Sequence, residues 1–380
     1  MRKTILIVAA ALLTGWVASP AQAQQKPKKA DVLKALTVAN DYYMKRWPDP
    51  GEGMPYPSRA RVYPGNIWTR AVYFEGEMAL YNLTQDKRLL DYATLWGERF
   101  DWDLNRGYTT RNADNQCCGQ VYLELCRIDP QPRRMEIIRK SIDAMMDSTR
   151  IDDWTWIDAI QMAMPVFARL GTITGDRAYF ERMYDMYNYT KTRIGDKGLY
   201  NPVDRLWWRD ADFDPPYVEP NGEDCYWSRG NGWVVAAMVR VLEIIPTDEA
   251  HRSEYVKMLR DMCSALVPLQ RPDGFWNVSL HDPTHFGGKE LTGTALFVYG
   301  MAYGVNAGLL DAKTYRPVIY RAWSALVKDC LHRDGFLGYV QGTGKEPKDG
   351  QPVRYTSMPD FEDYGLGCFL LAGTEVYKMK

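Results

Sequence analysis

Two kinds of helical pattern alternate along this chain. One kind is apolar on nearly every face and rich in Gly, Ala and aromatic residues, at roughly 68–82, 117–127, 158–171, 230–244, 292–306 and 364–378. The other is amphipathic and heavily charged, at roughly 30–46, 86–100, 132–147, 178–193, 250–267 and 315–330. A helix that is apolar all round must be buried all round, whereas an amphipathic helix shows one face to solvent. The pattern therefore predicts six inner and six outer helices. The inner-to-outer connections are short, such as Thr84-Gln85-Asp86-Lys87 and Thr174-Gly175-Asp176-Arg177. The segments leading into the inner helices are longer and rich in Gly, Pro, Asp and Trp. Hairpins repeated in this way imply a solenoid or a closed ring. No polar capping repeat stands at either end, so closure into an all-α (α/α)6 barrel is expected. The long loops would then gather at the N-terminal end of the inner helices and form a cleft there. Strand signals are few; 195–213 could form a short hairpin on that face.

The N-terminus interrupts the alternation. Met1-Arg2-Lys3 is basic, Ile5 to Val17 is mainly apolar, and Ala21-Gln22-Ala23 fits a small-x-small cleavage pattern. This reads as a signal peptide over 1–23, ahead of one barrel domain over 24–380 and implying export to the periplasm or beyond. Removing Arg2 and Lys3 would take the formal charge from -1 to -3. Near-neutral charge gives no reason to expect nucleic acid as a partner, and no apolar run in the mature part is long enough to span a membrane. The seven Cys are scattered, with no Cys-x-x-Cys pair, so neither a disulfide framework nor a zinc site is indicated. No cofactor or metal is expected, and oligomeric state is not readable.

Composition adds one signal: 13 Trp and 25 Tyr against 11 Phe. Rings with a polar tip suit an amphipathic ligand such as a sugar, although aromatic core packing accounts for them as well. Position sharpens this. Asp158 opens the third inner helix in Trp154-Thr155-Trp156-Ile157-Asp158-Ala159-Ile160-Gln161-Met162. It is either a first-turn acid facing the helix dipole or a carboxyl in an aromatic pocket, with a pKa raised enough to act as an acid near neutral pH. Asp114 stands at the matching place of the preceding repeat, again as a cap or as a second cleft carboxylate. Two carboxylates in one cleft are the usual equipment of glycoside hydrolysis. Tyr226-Trp227-Ser228-Arg229-Gly230-Asn231-Gly232-Trp233 opens the fourth inner helix. There an Arg flanked by Trp can stack a sugar and hold a carboxylate, or can be stacked for structure. Trp68, Tyr73 and Glu75 in the first repeat, Trp207, Trp208, Arg209 and Asp210 on the hairpin, Glu290 and Asp363 complete the loop-face groups. Only four His are present and no GxSxG, P-loop or GxGxxG precedes a helix. This disfavours acyl transfer, nucleotide hydrolysis and dinucleotide redox chemistry.

The runs NIWTRAVYFEGEMALY, ADNQCCGQVYLEL, WIDAIQMAMP, YWSRGNGWV, ELTGTALFVYG and DYGLGCFLLAG together resemble glycoside hydrolase family 105, the unsaturated rhamnogalacturonyl hydrolases, which are related to the family 88 unsaturated glucuronyl hydrolases. The resemblance covers about residues 31 to 378. It implies an (α/α)6 barrel that removes a 4,5-unsaturated uronic acid from the non-reducing end of lyase-generated oligosaccharides, without cofactor. By that likeness Asp158 is the general acid/base, Asp114 the second acid, and Arg229 and Trp233 contact substrate. Trp227, Trp156, Met162, Trp207, Arg209, Trp68 and Tyr73 are the further substrate-binding candidates. The expected chemistry is protonation of C4 and addition of water at C5, with Asp114 holding Asp158 protonated by like-charge repulsion. Either Arg229 or Arg209 would meet the uronate. Some family members carry a His before the catalytic Asp motif and another in the hairpin; here those regions read STRIDDWTW and RLWWRDADF, with no His. The resemblance favours an unsaturated galacturonyl-rhamnose substrate; the competing readings are an unsaturated glucuronyl hydrolase on another glycan, an inverting glycosidase on saturated sugars, a sugar epimerase, which the sparse His disfavour, and a non-catalytic carbohydrate-binding protein.

Overall fold

The apolar and amphipathic segments fold into helices close to where the pattern puts them. A computed structural model describes residues 25–56, 61–357, 360 and 363–380; the expected signal peptide lies outside them. The outer helices are α1 (Lys29–Arg46), α3 (Lys87–Arg99), α6 (Arg133–Met146), α8 (Ala178–Arg193), α10 (Arg252–Leu266) and α12 (Ala312–Ala325). The inner helices are α2 (Trp68–Thr84), α5 (Gly119–Ile128, preceded by the single turn α4, Ala113–Gln116), α7 (Asp158–Thr174), α9 (Ser228–Ile244), α11 (Leu291–Asn306) and α13 (Tyr364–Lys378). In α9 every residue from Ser228 to Leu242 is buried, whereas α3 buries only Leu89, Tyr92, Ala93, Trp96 and Gly97, one stripe at helical spacing.

Successive inner helices pack against one another, and α13 packs against α2, so the ring closes. Closure depends on close approach. A Cβ on Gly76 would come within 2.6 Å of the Gly367 carbonyl oxygen, and one on Gly367 within 2.2 Å of the Val72 carbonyl oxygen. Two glycines thus let the first and last inner helices touch backbone to backbone.

Pro165 lies inside α7. A proline cannot donate to the carbonyl four residues earlier, here Gln161. The Gln120 side chain from α5 takes that carbonyl instead, Nε2 to O at 2.7 Å. Arg240 Nε then donates to Gln120 Oε1 at 2.7 Å, and Gln161 Nε2 donates to Glu75 Oε2 at 2.8 Å. A hydrogen-bonded polar thread therefore runs through the middle of the ring, satisfying groups that would be costly to bury alone.

The hairpin expected in 195–213 exists but is minimal: β3 (Tyr200–Asn201) pairs antiparallel with β4 (Leu206–Trp207). A second hairpin, β1 (Met54–Tyr56) with β2 (Arg61–Tyr63), was not expected from the pattern. All seven Cys are buried as free thiols. Among the described residues no helix is long and apolar enough to cross a membrane.

Candidate active site

At the N-terminal end of the inner helices lies a cavity of about 220 Å³ lined by Trp68, Asp114, Trp156, Asp158, Met162, Arg209, Trp227, Arg229, Trp233, Thr343 and Gly344. The inner-helix starts converge here because the ring places them side by side. Asp158 is the first residue of α7; Asp114 lies in α4, which packs on α7. Neither caps its helix. The cap of α4 is Asn112, whose side chain accepts from Asn115 N, and the residue before Asp158 makes no side-chain cap. Asp158 Oδ2 instead accepts from Arg209 Nε at 2.9 Å, and Oδ1 is buried without a partner.

Arg209 reaches the carboxylate because the hairpin is tied to the start of α7 and of α9. Ile157 N donates to the Arg209 carbonyl at 2.9 Å, and Trp156 bridges Asp210. Asn231 clamps β4 from the other side. Its Oδ1 accepts from Trp207 N at 2.9 Å and its Nδ2 donates to Trp207 O at 3.0 Å. The Arg209 guanidinium also donates through Nη1 to Asp210 Oδ2.

The two acids have different surroundings. Burial, reinforced by the Asp158 charge and opposed by Arg209, pushes Asp114 up to about 7. Burial also raises Asp158, but the Arg209 charge and hydrogen bond work against it. A cation bonded to a carboxyl favours its ionised form. Burial thus favours the neutral form of both acids, and the Arg209 bond favours ionised Asp158 over ionised Asp114.

Arg229 is 1% exposed. Its Nη1 and Nη2 donate to the carbonyls of Gln341 and Gly342 at 2.8 and 2.7 Å, and its guanidinium sits over the rings of Trp227 and Tyr364 at 4.6 and 5.3 Å. Each outer nitrogen gives one N–H to the 341–342 backbone, so Arg229 holds that loop as part of the cavity wall. Arg209, 18% exposed at its side chain, is the cation better placed to meet an anionic ligand. Trp68 and Trp233 meet edge to face at 6.2 Å, giving the cavity apolar ring surface.

Two expected substrate contacts are not in this cavity. Tyr73 is fully buried, with its hydroxyl near Asn40 Oδ1 and Glu77 Oε1 at 3.0 Å each; its position on α2 points it at α1 instead. Trp207 is fully buried among Tyr187 and Tyr200, because β4 turns it beneath the hairpin. Of the other loop-face acids, Glu290 and Asp363 are helix caps, accepting from Thr292 and Gly293 N and from Tyr364 N, and Glu75 belongs to the polar thread.

Thr343 and Gly344 were missed. They come from the loop between α12 and α13. Gln341 ties that loop down, accepting from Trp227 Nε1 at 3.0 Å and donating to Asp349 O at 2.7 Å. A Cβ on Gly344 would meet Asp349 Cβ at 2.1 Å. The short run Gln341-Gly342-Thr343-Gly344 is the signal available in the sequence, and it does not say which helix starts the loop overhangs.

The chain matches the model of glycosyl hydrolase family 88 over residues 38–380. It is 31% identical to an unsaturated 3S-rhamnoglycuronyl hydrolase of Formosa agariphila over 334 residues, 82% of this chain and 85% of that protein. A solved structure described as a glycosyl hydrolase of family 88 from Bacteroides vulgatus superposes with a TM-score of 0.82 at 31% identity, covering 92% of this chain and 99% of that one. Another, described as polysaccharide lyase BACCELL_00875, superposes with a TM-score of 0.82 at 30% identity, covering 92% and 97%.

Proposed function

The chain belongs to glycosyl hydrolase family 88, and on that premise we propose that it removes a 4,5-unsaturated uronic acid from the end of a rhamnose-containing oligosaccharide, by hydrating the C4=C5 bond. One observation carries the reading. A cavity of about 220 Å³, walled by Trp and closed beneath by buried helices, holds a carboxyl pushed up to about 7 beside a second carboxyl fixed by an arginine. The sugar class rests on the similar hydrolase of Formosa agariphila, whose name specifies a rhamnoglycuronyl substrate.

In the proposed reaction the substrate carboxylate engages the Arg209 guanidinium. That competes with the Arg209–Asp158 bond and removes the charge that keeps Asp158 ionised, so the proton of the pair passes from Asp114 to Asp158. Asp158 protonates C4, and the electrons of the C4=C5 bond leave an oxocarbenium ion across C5 and O5. Water adds at C5 and gives its proton back to Asp158. The C5–O5 bond of the resulting hemiketal breaks to a C5 ketone. The hemiacetal left at C1 then expels the rest of the oligosaccharide as an alcohol. One water is consumed, and no covalent enzyme intermediate forms.

The test is the ultraviolet chromophore of the unsaturated uronate. Incubation with lyase-generated rhamnose–uronate oligosaccharides should abolish it in step with release of a shortened sugar. Asp158→Asn should slow this by at least about 1000-fold with an unchanged circular-dichroism spectrum. A chromophore that grows on intact saturated polysaccharide would identify an eliminating lyase instead. Cleavage of saturated glycosides with no chromophore change would identify an ordinary glycosidase.

A further inference from the structure

The ring brings three ligand-type side chains together in its outer shell. Glu181 lies in the first turn of α8. Glu249 and His251 lie in the turn between α9 and α10, His251 immediately before the helix. Among the described residues they form the one group of three or more His, Cys, Asp or Glu side chains whose ligand atoms all lie within 4.8 Å of one another. Outer helices start where inner helices end, so the group stands at the opposite end of the barrel from the active-site cavity. The proposed reaction uses none of the three.

Two of the three make an ordinary pair. His251 Nε2 is 3.0 Å from Glu181 Oε2, and the imidazole is stacked on Tyr184, with ring centroids 3.5 Å apart and planes 4° apart. Glu249 is what that pair leaves over. It is 5% exposed. Its Oε2 accepts from His251 N at 3.0 Å, and its Oε1 is buried without a partner. The start of α10 favours a carboxylate, which accounts for Oε2 but not for Oε1. The cations around the turn are committed elsewhere. Arg252 donates through Nη1 to the carbonyls of Leu242 and Ile245 at 3.0 and 3.3 Å, and Arg177 pairs with Asp248 at 2.6 Å. A buried carboxylate with one oxygen unmade is costly, and a bound cation between it and the His251–Glu181 pair relieves that cost.

We propose that Glu181, Glu249 and His251 form a binding site for one divalent cation of the zinc class, held by the imidazole and one oxygen from each carboxylate, with water in the fourth position. Two donors about 2.0 to 2.1 Å from one zinc in a tetrahedral arrangement stand roughly 3.3 Å apart. The His251 and Glu181 atoms are already near that separation. The Glu181 side chain is 61% exposed, so it can turn to admit the ion from solvent and then close on it. Stacking on Tyr184 fixes the ring plane of His251, which lowers the ordering cost of binding. An imidazole nitrogen suits zinc, whereas magnesium demands near-octahedral oxygen ligands and keeps its water. An ion here ties the α9–α10 turn to the first turn of α8.

Isothermal titration of the full chain with zinc chloride in metal-free buffer tests this, with magnesium chloride as the control. Zinc should bind at one site per chain, and magnesium should not. Losing a partner that merely orients a metal ligand costs about 10- to 100-fold in affinity. Glu181→Gln and His251→Gln, each losing a ligand, should therefore weaken zinc binding by at least about tenfold with unchanged circular-dichroism spectra. His285→Gln removes the other carboxylate-paired imidazole, which meets Glu219, and should leave zinc binding unaltered. Glu181→Gln should hydrolyse unsaturated oligosaccharide at the unaltered rate, which separates this group from the active-site cavity. The proposal fails if zinc does not bind, if magnesium binds equally, if the Glu181 and His251 variants bind zinc as the unaltered chain does, or if His285→Gln abolishes the binding. Calorimetry with the metal alone reads this group whatever substrate the active-site cavity takes.

Discussion

The proposed chemistry turns on how one arginine divides two carboxyls. Arg209 lowers both Asp114 and Asp158, but it bonds only Asp158. In the proposed reaction the proton needed at C4 is therefore stored on Asp114 before substrate binds. Activity should fall on the alkaline side as a group near 7 loses that proton. In Arg209→Gln this alkaline limb should move to higher pH, because the charge that lowers both acids is gone, and KM should rise. A pH profile of kcat/KM checks both; a limb that does not move removes Arg209 from the proposed role. Asp114 also makes a stability prediction. Its folded pKa of about 7 lies above the ordinary aspartate value of 3.8, so the folded state binds more protons between these values. Stability then declines as pH rises from about 4 to 7 and is flat above. Asp114→Asn should consequently stabilise the fold, by on the order of 1 to 2 kcal/mol near pH 8 and by less near pH 5, while cutting turnover by about 100-fold. Thermal denaturation at the two pH values measures the difference.

At the scale of elements, the site depends on how helix starts are held by groups distant in sequence. Asp158 and Asp114 were recognisable from position alone, since each opens an apolar helix with Trp or Cys beside it. Arg209 was recognisable as a candidate but not as the partner of Asp158, because 51 positions separate them and the hairpin is aimed by its ties to the start of α7 and by the clamp of Asn231 on β4. Asn231→Ala should therefore lower kcat more than it raises KM, and should spare the Trp-walled surface; steady-state kinetics on the unsaturated oligosaccharide gives the split. Tyr73 and Trp207 show the opposite error. Both have the residue type that a sugar site favours, but a helix turns one inward and a two-residue strand turns the other beneath its hairpin. The polar thread is likewise a product of packing. Gln120→Leu would leave the Gln161 carbonyl, freed by Pro165, without its partner at 2.7 Å, and would also strip Arg240 of an acceptor. A loss of about 1 to 3 kcal/mol is expected from unfolding in denaturant.

For the whole molecule, closure of the ring is what makes a cavity out of six hairpins. The seam between α2 and α13 has the tightest demand. Gly367→Ala would drive a methyl to within 2.2 Å of the Val72 carbonyl oxygen, and helices cannot separate there without opening the barrel. A cost of at least about 2 kcal/mol is expected, read as a lowered Tm in one cooperative transition. A solenoid with free ends would shed the terminal hairpin and leave the rest folded, which a second transition would reveal. The cavity sits where the inner-helix N-termini favour anionic groups, so Asp114, Asp158 and an incoming uronate share an end of the barrel suited to negative charge.

By itself the sequence determined the number of helices, their order and which of them are inner. Those follow from the period and width of the apolar stripe, a local property that burial rewards wherever the helix ends up. It also determined the two carboxyls and most of the Trp wall, because the first residues of inner helices must lie at the mouth of any such ring. Only the tertiary structure decided which carboxyl Arg209 bonds, that Arg229 ties down the Gln341 and Gly342 carbonyls, and that the 341–344 loop overhangs the cavity. Each of these depends on through-space distance and shared desolvation between residues far apart in the chain, and neither quantity is written in local pattern.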